Sequence, residues 1–153
     1  MGNRGIQNYR DLGVWQKAIA LSVSCYRATS EFPEEEIYGM TAQIRRASVS
    51  VAANIAEGHG RENTRTFVQF LRISQGSLKE LETHLILAEQ IGLLSSEKAE
   101  PLASASDEIG RMLRALIRSL QTRIETGGMK HRGQIASCYS LFATRYSLGG
   151  TTA

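Results

Sequence analysis

Few cysteines, few prolines and no long apolar run limit what this sequence encodes. Cys25 and Cys138 cannot supply a disulfide framework or a four-ligand zinc site by themselves, which favours a reducing compartment. No 18 apolar residues run together and the N-terminus lacks the apolar region of a secretion signal, so we expect a cytoplasmic protein without a membrane partner. Pro33 and Pro101 are the two prolines, and the 67 residues between them favour long helices over many short strands.

Size and charge indicate one globular domain followed by a different segment. The chain has 153 residues, 42% of them apolar and 22% charged, enough for one hydrophobic core. Residues 1–125 hold 15 basic and 15 acidic side chains, so the net charge of +3 comes from the acid-free residues 126–153. We therefore predict a domain over 1–125 and a flexible tail, rich in Gly, Ser and Thr, over 126–153.

Four segments carry apolar residues at the spacing of an amphipathic helix. The first covers about 11–29, with Asp11 as the N-cap, and the second follows the acidic run Glu34–Glu36 and stops near Gly58 and Gly60. The third is capped by Asn63 or Thr64 and ends at Gly92, and the fourth runs from about 95 to 126. The predicted core stripe of the first helix is Leu12, Trp15, Ile19, Val23 and Tyr26.

The short connections between these segments predict an all-α fold, an antiparallel up-down-up-down four-helix bundle with an irregular C-terminal tail. Gly39, Gly76 and Gly110 lie at or inside predicted helices, where we expect close helix approach to compensate for their low helix propensity. Asn54 sits beside the apolar stripe of the second helix and is expected to fix register or link backbone groups.

Residue patterns for enzymatic chemistry are weak. His59 and His84 lack the Glu-x-x-His spacing of di-iron bundles, and His131 lies in the tail, so we expect neither a metal nor a cofactor. Cys25 lies near the apolar stripe without a plausible histidine partner, as expected of a buried thiol. The sequence therefore favours a binding protein over an enzyme.

Arginines give the one signal for a ligand. Arg45, Arg46, Arg61 and Arg65 fall on the second helix, its end and the start of the third, where an exposed patch would attract phosphates. The alternative is that they pair with glutamates within the bundle or between subunits. On the fourth helix, basic residues at i, i+3 and i+7 share one face that is either a binding stripe or a solvated surface: Arg111, Arg114 and Arg118.

Several short strings between about residues 9 and 121 together form a recognisable pattern. They are Asp11-Leu12, Val14-Trp15-Gln16-Lys17-Ala18, Phe32-Pro33, Tyr38-Gly39, Arg45-Arg46-Ala47, Asn54-Ile55-Ala56-Glu57-Gly58, Gly76-Ser77-Leu78 and Glu80-Leu81-Glu82-Thr83. With these strings the sequence resembles the four-helix bundle proteins encoded in intervening sequences of 23S rRNA genes. The family is itself similar to the accessory variability determinant proteins of diversity-generating retroelements.

The resemblance implies a homopentamer of four-helix protomers without enzymatic activity. The retroelement relatives associate with a reverse transcriptase and with nucleic acid through basic surfaces, which implies binding at Arg45, Arg46, Arg61 and Arg65. A ring of identical subunits needs two different faces per protomer, and apolar residues outside the main stripes would either supply these faces or widen the core: Ile73, Leu87 and Ile117.

From these observations we expect a non-enzymatic, oligomeric helical bundle that binds structured RNA or DNA electrostatically. The alternative is a protein–protein adaptor that docks a polymerase or reverse transcriptase, with its arginines meeting acidic side chains.

Overall fold

The computed structural model describes residues 8–126, and over this range the protein is entirely helical. The four α-helices are α1 (Gly13–Thr29), α2 (Met40–Gly60), α3 (Thr64–Gln90) and α4 (Ser96–Thr126). Short 3₁₀ turns over Tyr9–Asp11 and Glu34–Glu36 precede α1 and α2. The tail predicted over 126–153 lies outside the described residues except for Thr126, the last residue of α4. No helix within 8–126 is both long and apolar enough to cross a membrane.

The helices pack as the predicted antiparallel up-down-up-down bundle. Each helix contacts the one that follows it, and α1 also packs on α4, so α1 and α3 occupy diagonal corners. One hydrophobic core fills the interior, with the fully buried side chains of Ile44, Leu71, Ile109 and Leu113 among its largest members. Ile117 belongs to this core, whereas Ile73 and Leu87 are about half exposed.

Hydroxyl groups link α2 to both of its neighbours. Ser22 of α1 donates to the Ser48 carbonyl of α2 at 2.9 Å, and Ser74 of α3 donates to the Val51 carbonyl at 2.8 Å. Small side chains let these backbones approach closely, and the extra bonds satisfy hydroxyl groups that would otherwise be buried without partners. These contacts fix the rotation of α2 against α1 and α3.

The same part of α2 places Asn54 half-buried next to α3. Its Nδ2 donates to the Ser50 carbonyl at 2.8 Å and lies 3.0 Å from Ser50 Oγ, which is 2.8 Å from Ser77 Oγ. The hydroxyl pair of Ser50 and Ser77 therefore joins α2 to α3, whereas the hydrogen bonds of Asn54 stay within α2 and do not link two helices as expected.

The predicted core face of α1 is wrong. Leu12 is buried and Trp15 half-buried, but Ile19, Val23 and Tyr26 are 39–46% exposed. The helix carries two apolar stripes about one residue apart, and the one with smaller side chains faces the interior because it allows α1 to lie close to α2. The buried α1 residues are Val14, Ala18, Leu21, Ser22, Cys25 and Thr29.

The start of α1 differs from the prediction, whereas α2 follows the acidic run as predicted. Asp11 lies in the 3₁₀ turn and does not cap α1, which starts at Gly13 after Leu12 without a side-chain cap. The acidic run forms its own 3₁₀ turn, and Glu36 Oε2 accepts a hydrogen bond from the Met40 amide at 2.9 Å. Glu36 therefore caps the first turn of α2 from outside the helix.

The start and the end of α3 follow the sequence prediction. Asn63 is the N-cap, and its side chain accepts from the Thr66 amide at 3.1 Å. At the other end, Gly92 has a φ of 81°, a left-handed conformation that glycine adopts without strain. The following Leu93 and Leu94 amides both donate to the Ala88 carbonyl and close the helix.

Close helix approach occurs at a glycine other than those expected. A Cβ built on Gly76 meets nothing within 4 Å, and one on Gly110 makes ordinary contacts at 3.5 Å. Gly39 lies before α2, where a Cβ would approach only the Glu36 side chain. A Cβ on Gly58 would lie 2.4 Å from Phe70 Cβ and 3.0 Å from Phe67 Cδ2, so α2 and α3 approach closely at Gly58.

We predict that Gly58→Ala destabilises the protein by about 1–3 kcal/mol, because Phe70 Cβ is tied to the α3 backbone and cannot move alone. The matched control is Gly76→Ala, which should stabilise by up to about 1 kcal/mol, since the new methyl group meets no atom and alanine has the higher helix propensity. Urea denaturation followed by circular dichroism measures both changes. Equal effects of the two substitutions would contradict close packing at Gly58.

Candidate nucleic-acid interface

Antiparallel packing separates charge along the long axis of the bundle. Contacts between Ser22 and Ser48, between Ser50 and Ser77, and between Leu78 and Gly110 mark the middle of the bundle. One half, formed by residues 8–20, 51–76 and 109–126, holds nine basic and four acidic side chains. The other half, formed by 21–50 and 77–108, holds five basic and eleven acidic side chains. We refer to them as the basic half and the acidic half.

Arg45 and Arg46, in the acidic half, are already engaged within the chain. Arg45 is half-buried, its Nε donates to Thr29 Oγ1 at 2.9 Å, and its guanidinium lies 4.7 Å from the centre of the Tyr26 ring. Arg46 donates to Gln43 and lies 3.5 Å from Glu80 Oε1 of α3. A phosphate would have to compete with these partners.

Arg61 and Arg65 lie in the basic half, at the turn between α2 and α3. Arg61 Nη2 is 2.6 Å from Glu57 Oε1, and its guanidinium lies 5.6 Å from the centre of the Phe70 ring. Arg61 and Arg46 are 15 residues apart on one straight helix and its cap, a separation of about 22 Å. The structure therefore divides the four arginines predicted on this part of the chain into two separate pairs.

Arg65 joins a second group of arginines between α3 and α4. Asp107 of α4 lines a groove against α3, and Arg111, Arg114 and Arg118 follow it at i+4, i+7 and i+11, on the same flank of α4. Ile86 of α3 lines the same groove. Arg72 precedes Ile86 by 14 residues and Arg65 precedes it by 21, which are two and three heptads. Both arginines therefore lie on the flank of α3 that faces α4.

We call this group the α3–α4 basic face: Arg65, Arg72, Arg111, Arg114 and Arg118. All five side chains are exposed, and none of them forms an ion pair with another residue of the described range 8–126. Arg72 was not among the predicted site residues, although the excess of arginine over acid between residues 45 and 72 includes it. Five unpaired cations on one surface suit a polyanion, because each gains a partner without losing one.

Cys25 and His84, two groups with catalytic potential in the described part of the chain, lie in separate surroundings. Burial raises the pKa of the Cys25 thiol to about 12, against a smaller opposing effect of a hydrogen bond with Ser48, so this thiol is protonated at neutral pH. His84 Nε2 lies 3.6 Å from Glu80 Oε1 and makes no hydrogen bond. Between residues 8 and 126 there is no group of three or more His, Cys, Asp or Glu side chains that could hold a metal ion.

His59 belongs to an aromatic cluster at the end of the basic half. Its ring lies edge-on to Phe67 at 5.8 Å and to Tyr9 at 6.5 Å, and Tyr9 in turn packs edge-on against Trp15 at 5.2 Å. This cluster attaches the first 3₁₀ turn to α2 and α3. Burial among these rings disfavours the charged imidazolium and lowers the pKa of His59 below 6.5.

Comparison with known proteins identifies a family and several related solved structures. A family model described as 23S rRNA-intervening sequence protein matches residues 10–115. The crystal structure of a protein with unknown function from the S23 ribosomal protein family of Bacteroides thetaiotaomicron superposes with a TM-score of 0.62 and 26% sequence identity. The aligned region covers 68% of this chain and 97% of that chain. No curated protein matches the sequence.

The lowered pKa of His59 predicts a pH-dependent stability. Because the unfolded chain binds the proton more tightly, the contribution of neutral His59 is present above pH 6.5 and is lost as the pH falls towards the folded-state pKa. The free energy of unfolding of the wild type, measured relative to His59→Gln in urea, should therefore decrease between about pH 7.5 and about pH 5. A constant difference over this range would contradict the assignment.

Proposed function

Since the chain belongs to the family of 23S rRNA-intervening sequence proteins, we propose that it is a non-enzymatic, oligomeric helical bundle of the cytoplasm that binds structured RNA or DNA. The observation that carries the proposal is the α3–α4 basic face, five exposed arginines in one half of the bundle that form no ion pair with another residue of the range 8–126. Binding there needs no deep pocket and no cofactor, because phosphate groups are attracted to a surface that is already presented to solvent.

The physical basis of binding is the release of counterions from the nucleic-acid backbone. Each arginine that neutralises a phosphate releases condensed cations, so affinity falls with salt by an amount that reports the number of contacts. The five arginines are divided between α3 and α4 and do not all lie on one groove-sized element, and we therefore expect little base specificity. Arg61 borders the face but shares its charge with Glu57, and Arg45 and Arg46 in the acidic half are expected to contribute less.

Self-association of the bundle is the second part of the proposal, and the resemblance makes a homopentamer the expected form. Exposed apolar residues on α1, namely Ile19, Val23 and Tyr26, lie at one corner, and Ile73 and Leu87 of α3 lie at the diagonal corner. Two different apolar faces that point away from each other suit a head-to-tail interface between identical subunits.

A protein–protein adaptor is the second candidate function, and a groove on α1 favours it. The groove has a volume of about 500 Å³, an almost wholly apolar floor and Arg27 at its edge, and its walls include Ile19, Val23 and Tyr26. An apolar helix of a polymerase or reverse transcriptase, with acidic residues near Arg27, would fit such a surface. If the protein did not bind nucleic acid, or if its binding did not depend on salt, the adaptor function would be favoured over nucleic-acid binding.

We predict that Arg114→Gln/Arg118→Gln lowers the salt dependence of duplex RNA binding by about two phosphate contacts, since each removed cation lowers the slope by about one. The matched control, Arg45→Gln/Arg46→Gln, removes the same charge in the acidic half and should change the slope less. Fluorescence anisotropy with a labelled duplex at several salt concentrations measures both. Equal slopes for the two double variants would place the binding surface elsewhere.

For self-association we predict that the wild type sediments as an oligomer and that Val23→Glu/Ile73→Glu sediments as a folded monomer, because a charge in each apolar face leaves an unpaired carboxylate in the interface. Glu125→Gln, on the exposed end of α4, is the control and should not alter the oligomer. Sedimentation velocity and circular dichroism together distinguish dissociation from unfolding. A wild type that is monomeric at all concentrations would rule out this part of the proposal.

A further inference from the structure

A second groove between α3 and α4, in the acidic half, lacks an occupant in the described part of the chain. It has a volume of about 420 Å³, within the range of ligand sites, and its floor includes Leu85, Ile86 and Ala99. Ile86 is 56% exposed although it lies in a concave surface. We call this site the acidic groove, and its lining consists of Glu82, Leu85, Ile86, Glu89, Ser96, Ala99, Glu100, Ala103 and Asp107.

Four carboxylates and no basic side chain line the acidic groove. Lys79 approaches its edge and donates to Glu82 Oε2 at 2.6 Å, but Glu82 Oε1 is buried without a hydrogen-bond partner. A buried carboxylate oxygen that accepts no hydrogen bond is costly, so a donor arriving from outside would be favoured. The groove therefore fits an apolar segment that carries a positive charge.

The chain itself contains such a segment after α4. Residues 127–153 hold three basic side chains and no acidic one. Within them, the stretch 139–146 combines four large apolar or aromatic residues with one arginine: Tyr139, Leu141, Phe142, Arg145 and Tyr146. Its composition is complementary to the acidic groove in both hydrophobicity and charge.

The length of the intervening chain permits binding within one molecule. Ala103, in the groove, precedes the end of α4 at Thr126 by 23 residues, or about 35 Å of helix. Residue 139 follows Thr126 by 13 residues, and an extended chain of that length spans about 43 Å. The stretch 139–146 can therefore reach the groove of its own protomer, whereas the backbone of Arg132, six residues after Thr126, extends only about 20 Å and stops short of Ala103.

We propose that residues 139–146 bind in the acidic groove of the same chain, with Arg145 facing the carboxylates of Glu82, Glu100 and Asp107. The interaction does not depend on nucleic-acid binding and can be tested without it. It assigns an internal partner to a concave surface that is lined by four carboxylates.

The two cysteines provide the means to test this proposal on the full chain. Cys25 is fully buried with a raised pKa, so a thiol-reactive nitroxide is directed to Cys138, next to the proposed segment, and mass spectrometry verifies the site. We expect loss of amide NMR signals for residues 82–89 and 96–107, and little loss for α1. Unchanged signals in the groove, or loss centred on another surface, would overturn the proposal.

Two controls define the partner and the charge. Mixing nitrogen-15-labelled protein without nitroxide with unlabelled protein carrying nitroxide reports contacts between chains only. Signal loss in this mixture comparable to that in the protein carrying both labels would also overturn binding within one chain. Arg145→Glu should restore the groove signals, and Arg145→Glu/Glu100→Arg should remove them again, since the exchanged charges can pair. Arg132→Glu is the matched control, and restoration of the signals by this substitution would show that Arg145 is not the residue bound.

Discussion

The antiparallel packing of the four helices is the constraint on which the surface of this protein depends. Neighbouring helices run in opposite directions, so the first half of one helix lies beside the second half of the next. The acidic start of α4 therefore meets the acidic end of α3, and the arginines at the end of α4 meet those at the start of α3. Charged residues that are distant in sequence therefore lie together, in two halves of the bundle with opposite net charge.

Close contacts of α2 with α1 and α3 fix this arrangement. Hydroxyl groups of Ser22 and Ser74 bond to α2 carbonyls, and Gly58 allows the phenylalanines of α3 to touch the α2 backbone. Because small residues are used inside, larger apolar residues of α1 remain outside. The packing that holds the bundle together thus also creates the apolar surfaces that the proposed self-association uses.

Sequence alone predicts the helices well where apolar spacing and capping residues agree, as for α3 between Asn63 and Gly92. It fails for the inward face of α1, because two apolar stripes compete and only packing against α2 selects between them. It also fails for Gly58, since the contact with Phe70 depends on the register of two helices. Whether an arginine is paired also depends on packing, because Arg46 meets Glu80 across 34 positions of sequence, while Arg72 has no acidic partner among residues 8–126.

We propose that the basic half, and within it the α3–α4 basic face, is the surface that binds a polyanion. NMR of the arginine Nε–H groups during titration with a short RNA duplex tests it most directly, since each guanidinium reports separately. We expect the Nε–H signals of the α3–α4 basic face to shift, namely those of Arg65, Arg72, Arg111, Arg114 and Arg118. The Nε–H signal of Arg45, which is bonded to Thr29, should not shift. Shifts distributed equally over both halves, or larger at Arg45 and Arg46, would contradict it.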